Sequence, residues 1–352
     1  MTQANHKIRV GIVGTGFGQQ VHAPIYTHHD ACELVAIASR RENKVKEVAK
    51  SLGLKQAYSS WQKMLDEVSL DAISIATPPA VQPEIALAAM EKNIAVFCEK
   101  PLALSWADGR AMVQKAHEAQ VPNMVDYEFP EIPEWQSAKK LIDSGKIGKL
   151  RHIALSWNVE SYALRHGKES WKTRREEGGG ILYPFVSHVF YYIEWLAGPI
   201  KKFSSRLYQC PDKSISGDTL NILCLEMESG VAVSLSVSIH AFLGTGHRLE
   251  FYGEDGTILL QNTTSDYIGG FELYLGTRKS KRLERVISDG SIPMDGGDAR
   301  IWATSRVINR FIDWIRTGKA SAPSFKEGLR VQYLLEKAKE ASKNVCWVDC
   351  AH

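Results

Sequence analysis

Ile8-Arg9-Val10-Gly11-Ile12-Val13 runs directly into Gly14-Thr15-Gly16-Phe17-Gly18, and a helix-like stretch, Gln19 to Thr27, follows. A β-branched strand, a glycine turn and a helix in that order form an anion site. The first glycine permits the tight turn. The second lets backbone N–H groups approach a pyrophosphate at a helix N-terminus, where unsatisfied donors and the helix dipole favour negative charge. Gln19 stands where the G-x-G-x-x-G fingerprint closes on glycine or alanine, with Gly18 beside it to relieve crowding. The alternative is a purely structural turn. The following strands favour a dinucleotide site built from Gly14, Thr15, Gly16, Phe17 and Gly18.

Four more short apolar runs succeed the first: Leu34 to Ala38, Ala72 to Ala76, Ala95 to Cys98 and Asn123 to Val125. Such continuous runs suit parallel strands covered on both faces. Helical patterns separate them at Glu42 to Leu52, Pro83 to Lys92 and Ser105 to Ala119, the last with Ser105 as cap and Asp108 three residues on. Repeated strand–helix–strand units predict a doubly wound sheet with right-handed crossovers.

Beyond about residue 150 strands follow one another directly. From Val231 to His240, Val231, Val233, Leu235, Val237 and Ile239 share one face; Ala232, Ser234, Ser236, Ser238 and His240 share the other. Period two with one apolar face predicts a half-buried antiparallel strand. Arg248 to Tyr252, a Glu254-Asp255-Gly256 turn and Thr257 to Gln261 read as a hairpin. Ala299 to Thr317, stopped by Gly318, and Lys326 to Lys343 read as helices. The expected fold is an α/β Rossmann domain with a parallel sheet, residues 1–128, plus an α+β C-terminal domain with a large, mostly antiparallel open sheet, residues 129–352. The final helices are free to pack back onto the first domain.

The 352-residue length suits two domains. Lys plus Arg at 43 against Asp plus Glu at 40 leaves a charge of +3, too balanced for a dedicated nucleic-acid binder. No apolar run approaches a membrane span, and the residues up to Val10 lack a signal-peptide pattern. Cys32, Cys98, Cys210, Cys224, Cys346 and Cys350 include no C-x-x-C pair, so neither a zinc site nor a disulfide framework is expected, and a reducing cytoplasm is.

The second strand bears on the choice of dinucleotide. NAD sites usually end it with an acid for the ribose hydroxyls. Here Ala38 is followed by Ser39-Arg40-Arg41, with no acid before Glu42. A hydroxyl and a guanidinium bind a 2′-phosphate that a carboxylate would repel. NADP(H) is therefore expected over NAD(H); the competing view is that Arg40 and Arg41 only decorate a solvated helix start.

Glu99-Lys100-Pro101 directly follows the Ala95–Cys98 strand. With the glycine turn, the Thr77-Pro78-Pro79 loop, Gly178-Gly179-Gly180 upstream of His188, the Leu141 to Gly148 connection and the Tyr252 to Gly256 hairpin, the sequence resembles the glucose–fructose oxidoreductase / inositol dehydrogenase / MocA family nearly end to end. The resemblance implies hydride exchange between nicotinamide and a hydroxyl or carbonyl of a sugar, cyclitol or sugar-like molecule. It implies no metal, and a homodimer or homotetramer through the C-terminal sheet, to which the flat Ala232/Ser234/Ser236/Ser238 face is suited. Thr77, Pro78, Pro79 and Glu99 are carried over as cofactor contacts. Lys100 matches the lysine near nicotinamide and the reacting oxygen, and an ammonium there stabilises alkoxide charge. His188 matches the histidine suited to moving the hydroxyl proton.

The pattern is incomplete. Pro184 stands where many members carry an aspartate one helical turn before that histidine, and Tyr191 replaces a second aspartate. Glu128 stands for a common asparagine and Gln82 for a common histidine. Tyr127, Glu128, Trp171, Lys172, Tyr183 and Tyr191 are candidate substrate neighbours, and each has a plainer reading as packing. His22 is not expected to be catalytic, and the Arg278 to Arg285 run reads as a solvated strand edge. A reductase of a non-sugar carbonyl or conjugated molecule, resembling biliverdin reductases, and a non-catalytic dinucleotide sensor are the rival expectations.

Overall fold

The protein is described by a computed structural model covering residues 6–209, 215–290, 292 and 297–351; Cys210 lies outside the described residues. The chain divides into two compact units, one of residues 1–128 with 300–332, the other of 129–299 with 333–352.

In the first unit the elements are β1 (Ile8–Val13), α1 (Ala23–His28), β2 (Cys32–Ala38), α2 (Glu42–Ser51), β3 (Gln56–Tyr58), α3 (Trp61–Glu67), β4 (Ala72–Ile75), α4 (Gln82–Glu91), β5 (Ala95–Cys98), α5 (Trp106–Ala119) and β6 (Asn123–Val125). The six strands are parallel in the order β3-β2-β1-β4-β5-β6. The order reverses between β1 and β4, where open α/β sheets bind ligands. β3 escapes a sequence reading because its three residues are half-buried and lack an apolar run. Ser105 caps α5 by accepting from Asp108 N–H, as expected.

The expected continuous helix from Gln19 to Thr27 is a correction. Gly18 to His22 forms a wide turn, closed by Ala23 N–H on Gly18 O five residues back, before α1 begins. Pro24, which lacks an N–H, sits in the first turn of α1, where the missing donor is tolerated.

The second unit contains α6 (Pro133–Asp143), β7 (Leu150–Asn158), α7 (Tyr162–Arg165), α8 (Ser187–Ala197), β8 (Ile200–Tyr208), β9 (Leu220–Met227), β10 (Ala232–Ser238), β11 (Gly246–Gly253), β12 (Gly256–Asn262), β13 (Glu272–Thr277) and β14 (Glu284–Val286). The chain ends with α9 (Ala299–Thr317), α10 (Phe325–Asn344) and β15 (Trp347–Asp349). The sheet runs β14-β13-β12-β11-β7-β10-β9-β8-β15.

β10 buries Val233, Leu235 and Val237 and leaves Ala232 and Ser234 exposed, the alternation expected. It is antiparallel to β9 but parallel to β7, which corrects the expectation of a purely antiparallel strand. Period-two patterning reports which face is buried, not the direction of the neighbours. The expected β11–β12 hairpin forms, with Arg248 opposite Gln261 and Tyr252 opposite Thr257. The Arg278 to Arg285 run joins β13 to β14, with Arg278 paired to Asp255 and Arg285 to Glu272.

Most of α9 and the first turns of α10 belong to the first unit, where Val307, Ile308, Phe311 and Ile312 join the core that Ile8, Val10, Ile12 and Phe97 begin. Val125 N–H donates to Pro323 O, and Phe325 N–H to the Asn123 side chain. The last turns of α10 belong to the second unit, where Ser342 Oγ accepts from Leu207 N–H.

Candidate active site

The glycine turn has the shape an anion needs. Gly14 takes φ +125°, and a Cβ there would stand 2.2 Å from Ala76 O, so this position admits only glycine. A Cβ on Gly16 would meet nothing within 4 Å, so its backbone faces open space. Gly18 is close to Ile12 and Ala76, and it supplies the helix-to-strand approach that Gln19 could not. These features fit a dinucleotide pyrophosphate.

Thr15 and the end of β2 form one polar corner. Thr15 Oγ1 lies 3.3 Å from Ser39 Oγ, and the Arg41 guanidinium donates to Thr15 Oγ1 at 3.3 Å. Ser39 Oγ also accepts from Arg41 N–H at 3.5 Å. Ser39 and Arg41 are thus brought together beside the turn, although Arg41, like Arg40, is an exposed residue. Arg300 lies over the Phe17 ring, 5.4 Å from its centroid.

Lys100 leaves the end of β5 half-buried, next to a cis bond to Pro101. Gln82, fully buried, donates its side-chain amide to Pro101 O at 2.7 Å and pins this segment. Burial pulls the Lys100 ammonium below its ordinary range, against Glu128, Glu99 and Asp126, which favour the charged form. Thr77, Pro78 and Pro79 follow β4 and are at most partly exposed.

Sequence reasoning missed a polar chain behind Glu99. His22 is fully buried, with Nδ1 2.9 Å from Ser74 Oγ and Nε2 3.1 Å from Glu99 Oε1. Asp126 Oδ2 lies 4.0 Å from the same Nε2 and accepts from Thr304 Oγ1 at 3.0 Å. Burial, then the neighbouring Glu99 and Glu128, raise the Asp126 carboxyl well above the carboxylate range. The available signals were Ser74 inside an apolar strand and an acid directly after β6.

Burial also raises Glu128 to about 7, with Lys100 opposing it. Its unfolded value is near 4.5. Below that pH both states hold the proton. Between the two values the unfolded chain releases it first, so stability falls as pH rises through this window. Glu128→Gln removes the effect. Its stability relative to wild type is expected to improve from pH 5 to pH 8 by about 1–2 kcal/mol in chemical denaturation, after allowance for partial exposure.

In the second unit Gly179 and Gly180 lie against Gly217 and Asp218, so close that a Cβ on Gly180, which has φ +105°, would come within 2.8 Å of Asp218 backbone atoms. Ile181 N–H donates to Asp218 O at 2.7 Å. A wide turn over Leu182–Val186 then delivers α8, with Val186 N–H on Ile181 O. Pro184 sits inside that turn, where a missing N–H is cheap.

His188, on the first turn of α8, is buried with its ring 5.0 Å from Phe129, edge to face. Nearby, His247 stacks on Trp157 at 4.3 Å and meets the Tyr192 hydroxyl at 2.9 Å. Burial pulls His247 down to about 3, so it stays neutral. This aromatic floor also escaped sequence reading.

Of the candidate substrate neighbours, Tyr183 is buried and its hydroxyl accepts from Lys339, which also lies over its ring. Tyr191 and Trp171 are half-buried, Lys172 is exposed with its ammonium 5.8 Å from the Trp171 ring centroid, and Tyr127 is buried.

Residues 8–127 match the profile described as "Oxidoreductase family, NAD-binding Rossmann fold", and residues 135–259 match the "GFO/IDH/MocA C-terminal domain". The chain is 30% identical to an uncharacterized oxidoreductase, sll0816, of Synechocystis, over 97% of this chain and 95% of that protein. It is 26% identical to the scyllo-inositol 2-dehydrogenase (NAD(+)) of Bacillus subtilis, over 95% and 98%. Among solved structures, a levoglucosan dehydrogenase in complex with NADH and levoglucosan superposes with a TM-score of 0.86 at 22% identity, covering 99% of this chain and 100% of that one.

Proposed function

The chain belongs to the GFO/IDH/MocA oxidoreductase family, and on that premise we propose an NADP(H)-dependent enzyme acting on a hydroxyl or carbonyl of a sugar, cyclitol or sugar-like molecule. The observation that carries this reading is Lys100, a lysine with a lowered pKa held at the end of a Rossmann strand.

The glycine turn, Thr77-Pro78-Pro79 and Glu99 hold the dinucleotide, and Ser39, Arg40 and Arg41 take the 2′-phosphate. Bound NADP(H) supplies or accepts a hydride at nicotinamide carbon 4. Lys100 binds the oxygen of the reacting carbon and stabilises its negative charge. His188 moves the hydroxyl proton. Glu128, Trp171, Lys172, Tyr183 and Tyr191 are the proposed substrate contacts. Pro184, where a carboxylate is common, favours as second reading a dinucleotide sensor without turnover.

No helix among the described residues is long and apolar enough to cross a membrane, and we place the enzyme in the cytoplasm as a small-molecule enzyme. The exposed side chains of Ala232, Ser234 and Cys224 form a small-sided sheet face, which we assign to a homodimer or homotetramer contact.

The test is a nicotinamide-absorbance screen of sugars, cyclitols and small carbonyls, with light scattering on the same preparation. Turnover of a polyol or its ketone by an oligomer is expected. Tight cofactor binding with no turnover across the panel supports the sensor instead, and a monomer removes the assembly.

A further inference from the structure

A cation from near the end of the chain stands against the glycine turn at its beginning. Phe17 is a member of that turn, and the Arg300 guanidinium lies over its ring, 5.4 Å from the centroid. Both residues belong to the first unit. The aromatic platform is itself held in place, because the Phe17 ring meets the His22 ring edge-on at 5.4 Å and packs against the unit's core.

The position of Arg300 is unfavourable for an ordinary surface arginine. It occupies the first turn of α9, where the helix dipole opposes a positive charge; Arg316, in the last turn, has the favourable end. Arg300 is also half-buried. It favours the ionised form of Glu128, and Glu128 in turn acts on Lys100. Contacts and charges therefore follow one another from Arg41 through Thr15 and the glycine turn to Phe17, Arg300, Glu128 and Lys100. A dinucleotide is laid out in a matching sequence: an adenosine ribose with or without its 2′-phosphate, a doubly charged pyrophosphate in the middle, and nicotinamide at the far end. Arg41 and Lys100 have the ends. The middle has the N–H groups of the turn and, so far, no cation.

We propose that Arg300 is that cation and binds the pyrophosphate of the dinucleotide from the start of α9. A planar guanidinium matches two phosphate oxygens at once. Stacking on Phe17 fixes its plane before the ligand arrives, which lowers the ordering cost of binding. The proposal rests on the cofactor site described above but not on the choice of NADP(H) over NAD(H), since both carry the pyrophosphate.

The test measures dissociation constants without turnover, by calorimetry, for NADPH, NADH, ADP-ribose and adenosine 2′-monophosphate. ADP-ribose has the pyrophosphate without the 2′-phosphate, and adenosine 2′-monophosphate has the reverse. Arg300→Gln is expected to weaken NADPH, NADH and ADP-ribose each about 10- to 50-fold and to leave adenosine 2′-monophosphate within about twofold. Unchanged ADP-ribose binding overturns the proposal. So does an equal loss for adenosine 2′-monophosphate, which would mean that the turn itself had been disturbed. The same substitution made in a Glu128→Gln background is expected to weaken ADP-ribose as much; loss of the effect there would mean that Arg300 acts only through Glu128, and would overturn it too.

Should Arg300→Gln not fold, hydrogen exchange on wild type decides: ADP-ribose is expected to protect the first turn of α9, and absence of protection overturns the proposal. Wild type that binds ADP-ribose but not adenosine 2′-monophosphate fails the NADP(H) reading alone, and adenosine then serves as the ligand without a pyrophosphate. Wild type that binds no ADP-ribose overturns the proposal together with the cofactor site.

Discussion

Lys100→Met is expected to lower kcat at least about 10³-fold while leaving the dissociation constant for NADPH within about threefold. Methionine matches the length and flexibility of the lysine stem, so packing at the end of β5 is preserved. What disappears is the ammonium. In a half-buried site a positive charge aimed at an oxygen acts more strongly than in water, because less solvent competes with it. The Gln82 bond to Pro101 O keeps the backbone of the segment fixed whichever side chain follows Glu99. Stopped-flow absorbance with saturating cofactor measures the loss. Undiminished turnover in the variant would remove Lys100 from the chemistry.

Arg41→Ala is expected to weaken NADPH binding about 10- to 100-fold and NADH binding no more than about threefold, with wild type preferring NADPH. A charge-assisted hydrogen bond to phosphate is worth about 1.5–3 kcal/mol, and each 1.4 kcal/mol is tenfold in affinity. Arg41 already reaches Thr15 Oγ1 across the glycine turn, so its guanidinium is held at the corner rather than recruited from solvent. That preorganisation lowers the entropy cost of binding. Fluorescence titration of both nucleotides against both proteins gives the four constants. Tighter NADH binding by wild type would refute the 2′-phosphate assignment.

The parts legible in the sequence were those written locally. Ala95–Cys98 and Asn123–Val125 appear as strands with the bounds read from their apolar runs, and Ser105 caps α5 as its spacing with Asp108 required. The Ser39–Arg41 corner was legible because strand, turn and helix follow each other within a few dozen residues. The His22–Glu99–Asp126 chain was not. Its members come from three separate elements, and His22 alone reads as an ordinary helical histidine. The pairing of β10 was half legible, since alternation fixes the buried face while the parallel partner β7 is set by topology. β15 and β3 are three residues each, too short for a period to register.

The division of the chain has a consequence for its synthesis. The cofactor unit opens the sequence, yet part of its core, including Val307, Phe311 and Phe325, is supplied by α9 and α10. During translation the first 128 residues leave the ribosome with the faces meant for those helices still bare, and everything from Phe129 to Ala299 is made before the cover arrives. The unit begun first is therefore completed only after most of the second has been made. Until the final stretch emerges, its apolar surface is what chaperones would meet.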